Sequence, residues 1–276
     1  MKRVLPQDPG AAASLPDGGF DGLCDWFEAY LDPFLSGNPQ VRPNLAMKAE
    51  HSRRVATEMH RLSVDLGLGA SEQRVASMIG LLHDIGRFEQ YLQYRTFDDR
   101  RSVDHAELGV AILEREDVLC SVPEDTRVAI REAILYHNRR SLPGGQSAAA
   151  LLVSQMIRDA DKLDILRLCI EEYTRTDGKR NDAIGIGLPD TPGCSRSVAA
   201  CLSRSEAVDS RHLRNLNDFK LSQLGWVFDV NFAPTFRRIR SRRYIEQICS
   251  SIRESGALEG IIERVHQHVE RGAADR

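Results

Sequence analysis

The sequence lacks a paired-cysteine motif, a long apolar run and an excess of charge of either sign, and each absence removes a class of protein. Its six cysteines (Cys24, Cys120, Cys169, Cys194, Cys201 and Cys249) are scattered, with no C-x-x-C spacing. That excludes a cysteine-based zinc motif or dithiol redox motif and leaves reduced thiols that mostly fill a core. With 37 basic against 40 acidic side chains the formal charge is −3, so no global positive field draws the chain to nucleic acid and no stable partner of that kind is expected. Any anion site must be local. No stretch of about 18 apolar residues occurs, and no signal-peptide core precedes Pro6. The expectation is a soluble, cytoplasmic protein with no membrane partner. There is no alternation of strand and helix patterns and no internal repeat. What remains is an all-α chain of 276 residues, long enough to bury a core without disulfide or metal staples.

Pro, Gly and Ala dominate residues 5–19, so residues 1–19 read as a flexible leader. From there Phe20, Leu23, Trp26, Phe27, Tyr30, Leu31 and Phe34 recur every three or four positions, which predicts an amphipathic helix that ends before Gly37-Asn38-Pro39 and serves as a lid or packing partner. A second helix is expected over 44–66, stopped by Gly67 and Gly69, and a third from Ser71 to near Gly86. Residues 88–101 mix aromatics with charges without a clear period and read as a loop. Helices follow over about 104–116, 123–137 and 148–173, with Ser121 and Glu124 in capping-box spacing about Pro123. Residues 174–200, rich in Gly and Pro, read as a long loop, and two or three helices close the chain over about 205–228 and 233–270. The domain reading is a helical core over 20–175, with the loop and helices of 176–276 packed on it.

Four of the eight histidines fall where an apolar helix face should continue. His51 lies four before Val55 and eight before Met59, so its imidazole should point inward. His83 follows Ile79 by four and is succeeded by Asp84; His105 precedes Leu108 and Ile112; His137 follows Ile130 and Ile134. Asp161 stands four after Ile157 and eight after Val153 on a strongly apolar stripe. A buried carboxylate without a cation costs several kcal/mol, and no Arg shares these faces. Neutral imidazoles cannot neutralise it, but a metal ion bound by them can. Any one of these histidines alone is an unremarkable core residue; four of them with two acidic residues on successive helices describe a metal site.

Those residues also carry a resemblance. His51, the His83-Asp84 doublet within LLHDIGRFEQ and Asp161 within IRDADKLDIL resemble the H…HD…D signature of the HD-domain superfamily of metal-dependent phosphohydrolases, over about residues 45–170. The resemblance implies a helical HD bundle, here with extra N- and C-terminal helices. The histidines of VDHAELG and LYHN, His105 and His137, are similar to those of the two-metal subset. Carried over, the first ion takes His51, His83, Asp84 and Asp161, and the second shares Asp84 and takes His105 and His137. With a single ion, His105 and His137 would instead be phosphate contacts or proton donors. Asp159 and Asp164 are expected to orient ligands or cap turns.

The resemblance implies a hydrolase that uses a metal-activated water on a phosphomonoester or phosphodiester, with Asp84, His105, His137, Arg87 and Lys162 as its catalytic group. His and carboxylate ligands suit one or two divalent transition ions: Mn, Fe, Ni, Co or Zn. Arg87 and Lys162 stand within the matching motifs and are the expected anion contacts; Arg95, Arg100, Arg101, Arg139 and Arg140 are nearby alternatives. Phe88, Tyr91, Tyr94 and Phe97 are candidates to stack on a base, against a competing role as packing. The partner is thus a small phosphorylated substrate, a nucleotide among the options. The segment LSQLGWVFDVNFAPTFRRI is apolar enough to pack on the core or to form a homodimer face. His266 and His268 are expected to be exposed. Two other readings stay open: a di-iron oxygenase on the same ligands, and a noncatalytic nucleotide sensor.

Overall fold

The structure is a computed structural model that describes residues 19–176, 181, 183–185, 187–253 and 258–275. The leader expected over 1–19 lies outside these residues except for Gly19. Among the described residues there are helices and no strands, as the all-α expectation required. No helix there is long and apolar enough to cross a membrane. Contacts divide the chain into two compact units, Met1–Arg158 and Asp159–Arg276. The division falls inside one helix, ahead of the 175/176 boundary read from the sequence.

The first unit is built from α1 (Gly19–Ser36), α2 (Arg42–Asp65), α3 (Ala70–Leu82), α4 (Gly86–Tyr94), α5 (His105–Arg115), α6 (Glu124–Tyr136) and the start of α7 (Ala148–Tyr173). Helix α1 buries Leu23, Phe27 and Leu31, one residue per turn. Its aromatic rings Phe27, Tyr30 and Phe34 lie against Phe88 of α4, which makes α1 a packing partner. Helices α2 and α3 form the most extensive pair, a hairpin. A Cβ on Gly80 would lie 2.6 Å from the Cα of Ala56, so the absent side chain is what lets the two backbones touch. Gly86 does the same between α4 and α5: its Cβ would meet the carbonyl oxygen of His105 at 2.1 Å. Both glycines flank the His83-Asp84 doublet.

Two local expectations are corrected here. Residues 88–101 are not a loop throughout, because α4 runs to Tyr94 and a 3-10 turn spans Asp99–Arg101. Its buried face, Phe88, Gln90 and Tyr91, is too short and too polar to display a period. Ser121 does not cap α6. The N-cap residue is Pro123, and no side chain bonds there.

The second unit holds the rest of α7 with α8 (Arg196–Ser203), α9 (Leu216–Leu224), α10 (Ala233–Ser241), α11 (Tyr244–Ser251) and α12 (Glu259–Ala274). Its core is mainly aliphatic, with Val198, Leu202, Leu221, Leu224, Ile248 and Val265 buried beside Phe219, Phe236 and Tyr244. The expected loop over 174–200 contains the start of α8, and the helix expected over 205–228 is confined to α9 followed by a 3-10 turn at Gly225–Asp229. Residues 233–251 break at Arg242 and Arg243, where Arg243 takes a left-handed φ of 55°. The apolar period continues across that break and conceals it.

Candidate metal centre

Five of the six expected ligands meet in the first unit, and helix ends place most of them. His83 is the C-cap of α3 and His137 the C-cap of α6. The last carbonyls of a helix have no partner within it, and each imidazole uses one: His83 Nδ1 lies 2.8 Å from the Gly80 oxygen and His137 Nδ1 2.7 Å from the Ile134 oxygen. A carbonyl only accepts, so both Nδ1 atoms carry the hydrogen and both Nε2 atoms present a lone pair. His105 opens α5 directly after Asp104, whose side chain accepts from the amides of Ala106 and Glu107. Its Nδ1 lies 2.7 Å from Asp99 Oδ2, which fixes the same tautomer by the same reasoning. His51 sits within α2 on the buried face with Val55 and Met59.

All four rings aim at Asp84, and its two oxygens divide them. Oδ2 lies 3.4 Å from His51 Nε2 and 3.6 Å from His83 Nε2; Oδ1 lies 3.2 Å from His105 Nε2 and 3.7 Å from His137 Nε2. The carboxylate is only 2% exposed and the imidazoles are buried with it. Burial opposes its ionisation, but the Lys48 ammonium at 2.6 Å outweighs that and holds its carboxyl well below the usual carboxylate range.

This donor set fits a cation. His105 Nε2 and His137 Nε2 are 3.0 Å apart, and with both Nδ1 atoms protonated neither has a hydrogen to donate. Two lone pairs at that distance repel unless positive charge lies between them. Two nitrogens about 2.1 Å from one transition ion and at right angles to each other would stand about 3.0 Å apart. The ligating atoms of His83, Asp84 and His137 all lie within 4.8 Å of one another, and imidazole with carboxylate is a donor set for borderline divalent ions.

Asp161 and Lys162 stand on α7 beyond Arg158, in the second unit. Asp161 is half-buried. Lys162 pairs with Asp229 at 2.7 Å. Asp159 accepts from the amides of Asn231 and Phe232 at 3.1 Å, which holds the residues just ahead of α10, and Asp164 pairs with Arg167 at 3.0 Å.

Arg87 lies beside Asp84 Oδ1 at 3.4 Å, and its Nη1 donates to Gln90, the Phe97 carbonyl and Asp99. Arg100 pairs with Asp98, and Arg139 with Asp104 and Glu107. Of the four candidate stacking residues, Phe88 is wholly buried under α1 and Tyr91 stacks on Phe97 at 4.4 Å, so those two serve packing. Phe97 is half-buried, with Lys48 and Arg87 each within 6 Å of its ring centre.

Three residues that the sequence reading missed support the centre. Lys48 lies three before His51 on α2, so the spacing that located His51 also marks Lys48; the expectation of no basic partner on these faces considered Arg alone. Asp99 has no periodic signal. Arg158 donates to the carbonyls of His137, at 3.4 Å, and Arg139, closing the end of α6.

Residues 49–166 match the family model of the HD domain, and that segment of the chain is similar to this family. HD domains are helical, bind divalent metals and are generally metal-dependent phosphohydrolases. The matched segment contains every expected metal ligand from His51 to Asp161. No curated protein and no solved structure matches the chain.

Proposed function

We propose that the chain is a metal-dependent phosphohydrolase, a phosphomonoesterase or phosphodiesterase that attacks a nucleotide or another small phosphate ester with a metal-activated water. The observation that carries this reading is the division of four histidines between the two oxygens of Asp84. A bridging carboxylate with two imidazoles on each oxygen suits a pair of ions. In this reading His51, His83 and Asp161 complete one ion site and His105 and His137 the other. Asp161 enters on the family resemblance alone.

Divalent ions held there supply a nucleophilic water near neutral pH and draw charge from the phosphoryl oxygens. The chain's own residues hold the ligands in one tautomer, keep Asp84 ionised and bury the ligands away from solvent. Lys48, beside Asp84 Oδ2, and Arg87, beside Oδ1, put positive charge where an anionic substrate must arrive. With one ion only, His105 or His137 becomes the proton donor to the leaving group.

The test is elemental analysis of the purified protein, followed by a phosphatase and phosphodiesterase panel with the identified metal added back. Metal-dependent release of phosphate or alcohol, abolished by Asp84→Ala, is the expected result. Oxygen consumption by the iron-loaded protein without ester cleavage would replace hydrolysis with oxygenase chemistry. Phosphate-ligand binding without turnover would make the chain a sensor.

A further inference from the structure

The hydrogen bonds around the turn at Asp99–Arg101 converge on one carboxylate. Asp99 Oδ2 accepts from His105 Nδ1 at 2.7 Å and from Asn138 Nδ2 at 3.3 Å. Its Oδ1 accepts from Arg87 Nη1 at 2.7 Å and from Gln90 Nε2 at 2.8 Å. Gln90 is fully buried and also donates to Ser102 and to the Val103 carbonyl, which anchors the turn. Each oxygen is therefore engaged by one residue that itself faces Asp84, Oδ2 by His105 and Oδ1 by Arg87.

We propose that Asp99 is a positioning residue of the metal centre: it holds His105 as the Nδ1–H tautomer, so that Nε2 is a ligand, and keeps Arg87 against Asp84. This rests on the phosphohydrolase reading only for its effect on turnover. The tautomer itself is a property of the metal-free protein. An outer carboxylate that accepts from a ligating imidazole fixes ring orientation and raises ligand basicity.

Asn at this position separates the role from simple bulk. Its one oxygen is claimed by the Arg87 guanidinium and the Gln90 amide, which turns its NH2 toward His105 Nδ1. The imidazole then accepts at Nδ1 and carries its hydrogen at Nε2, where it donates to Asp84 and no longer ligates.

Three chains are compared with wild type: Asp99→Asn, Asp99→Glu, which retains the charge, and Asp98→Asn, which changes the neighbouring carboxylate bonded to Arg100. The 15N resonances of labelled histidine in metal-free protein read the His105 tautomer, and titration with Mn²⁺ alone, followed by paramagnetic resonance of the free ion, reads affinity. In Asp99→Asn the His105 hydrogen moves to Nε2 and Mn²⁺ affinity falls about 10- to 100-fold. The Glu variant retains the Nδ1–H tautomer, and Asp98→Asn stays within about 2-fold of wild type. If Asp99→Asn does not fold, the tautomer in wild type and in Asp99→Glu decides: Nδ1–H in both supports the assignment, and Nε2–H in wild type overturns it. An unchanged tautomer and unchanged Mn²⁺ affinity in a folded Asp99→Asn also overturn it. A wild-type protein that binds no Mn²⁺ or other divalent ion contradicts the proposed function, while the tautomer shift still decides the role of Asp99.

Discussion

The two units bury polar side chains to opposite ends. In the second, the buried side chains of Asp218, Asn217 and Lys220 are matched donor to acceptor. Asp218 accepts from the Ser195 amide and hydroxyl at 2.7 and 2.6 Å and from the Arg214 amide at 2.9 Å. Asn217 Nδ2 donates to the carbonyls of Gly193 and Arg253, and Lys220 Nζ to that of Ser251 at 2.5 Å, at the end of α11. These contacts close loops and helix ends. In the first unit, by contrast, imidazole lone pairs face one another and a carboxylate, acceptor against acceptor. Burial of polar groups is common to both; complementarity separates structure from function.

That contrast can be broken by exchanging the consequences. Asp84→Ala should have the largest effect on chemistry, reducing metal-dependent turnover to background and removing bound metal, as read by a steady-state assay and elemental analysis. Asp218→Ala should reverse the pattern: it removes the buried acceptor shared by the Ser195 and Arg214 donors and should cost about 3 kcal/mol of stability in denaturant unfolding, while the folded fraction keeps its metal content. Gly86→Ala falls between them. It forces α4 and α5 apart at the His105 carbonyl and should cost about 1–3 kcal/mol, with weakened metal binding because His105 moves with α5.

The smallest effect concerns His268, which is half-buried, not exposed as the sequence suggested; the same holds for His266. The rings of Phe228 and Phe236 lie 5.0 and 5.5 Å from that of His268. Burial, then the charge of Arg271, pushes its pKa below the ordinary value. The folded state therefore prefers the neutral ring. Its contribution to stability is fully present above the unfolded-state pKa of about 6.5 and declines as pH falls through the depressed folded value. Solvent screening limits the effect to a fraction of a kcal/mol. Thermal unfolding across pH 5–8 should show a shallow slope that His268→Gln removes; an identical slope in the variant would assign it elsewhere.

How much of this was legible depends on whether a residue sits on a periodic face. His51, His83, His105 and His137 interrupt apolar stripes, and α7 carries one stripe along its whole length, so the four histidines and the 148–173 helix follow from spacing. The tautomers do not, because they depend on which carbonyls a helix end leaves open. Asp99 lies in a turn and reaches His105 through tertiary structure alone. Helix α4 escaped for a related reason: its buried face includes Gln90, whose role is to bond a turn and not to fill a core. The break at Arg243 is invisible because a left-handed residue interrupts the helix without interrupting the pattern of apolar residues.

X-ray absorption at the metal edge of cobalt-loaded protein addresses the central claim most directly, because imidazole ligands give a distinctive multiple-scattering signal. A signal from several imidazoles, diminished in His105→Ala and again in His83→Ala, is the result expected of a cation gathered by the histidines around Asp84. Cobalt bound through oxygen alone, or a signal unchanged in both variants, would contradict it.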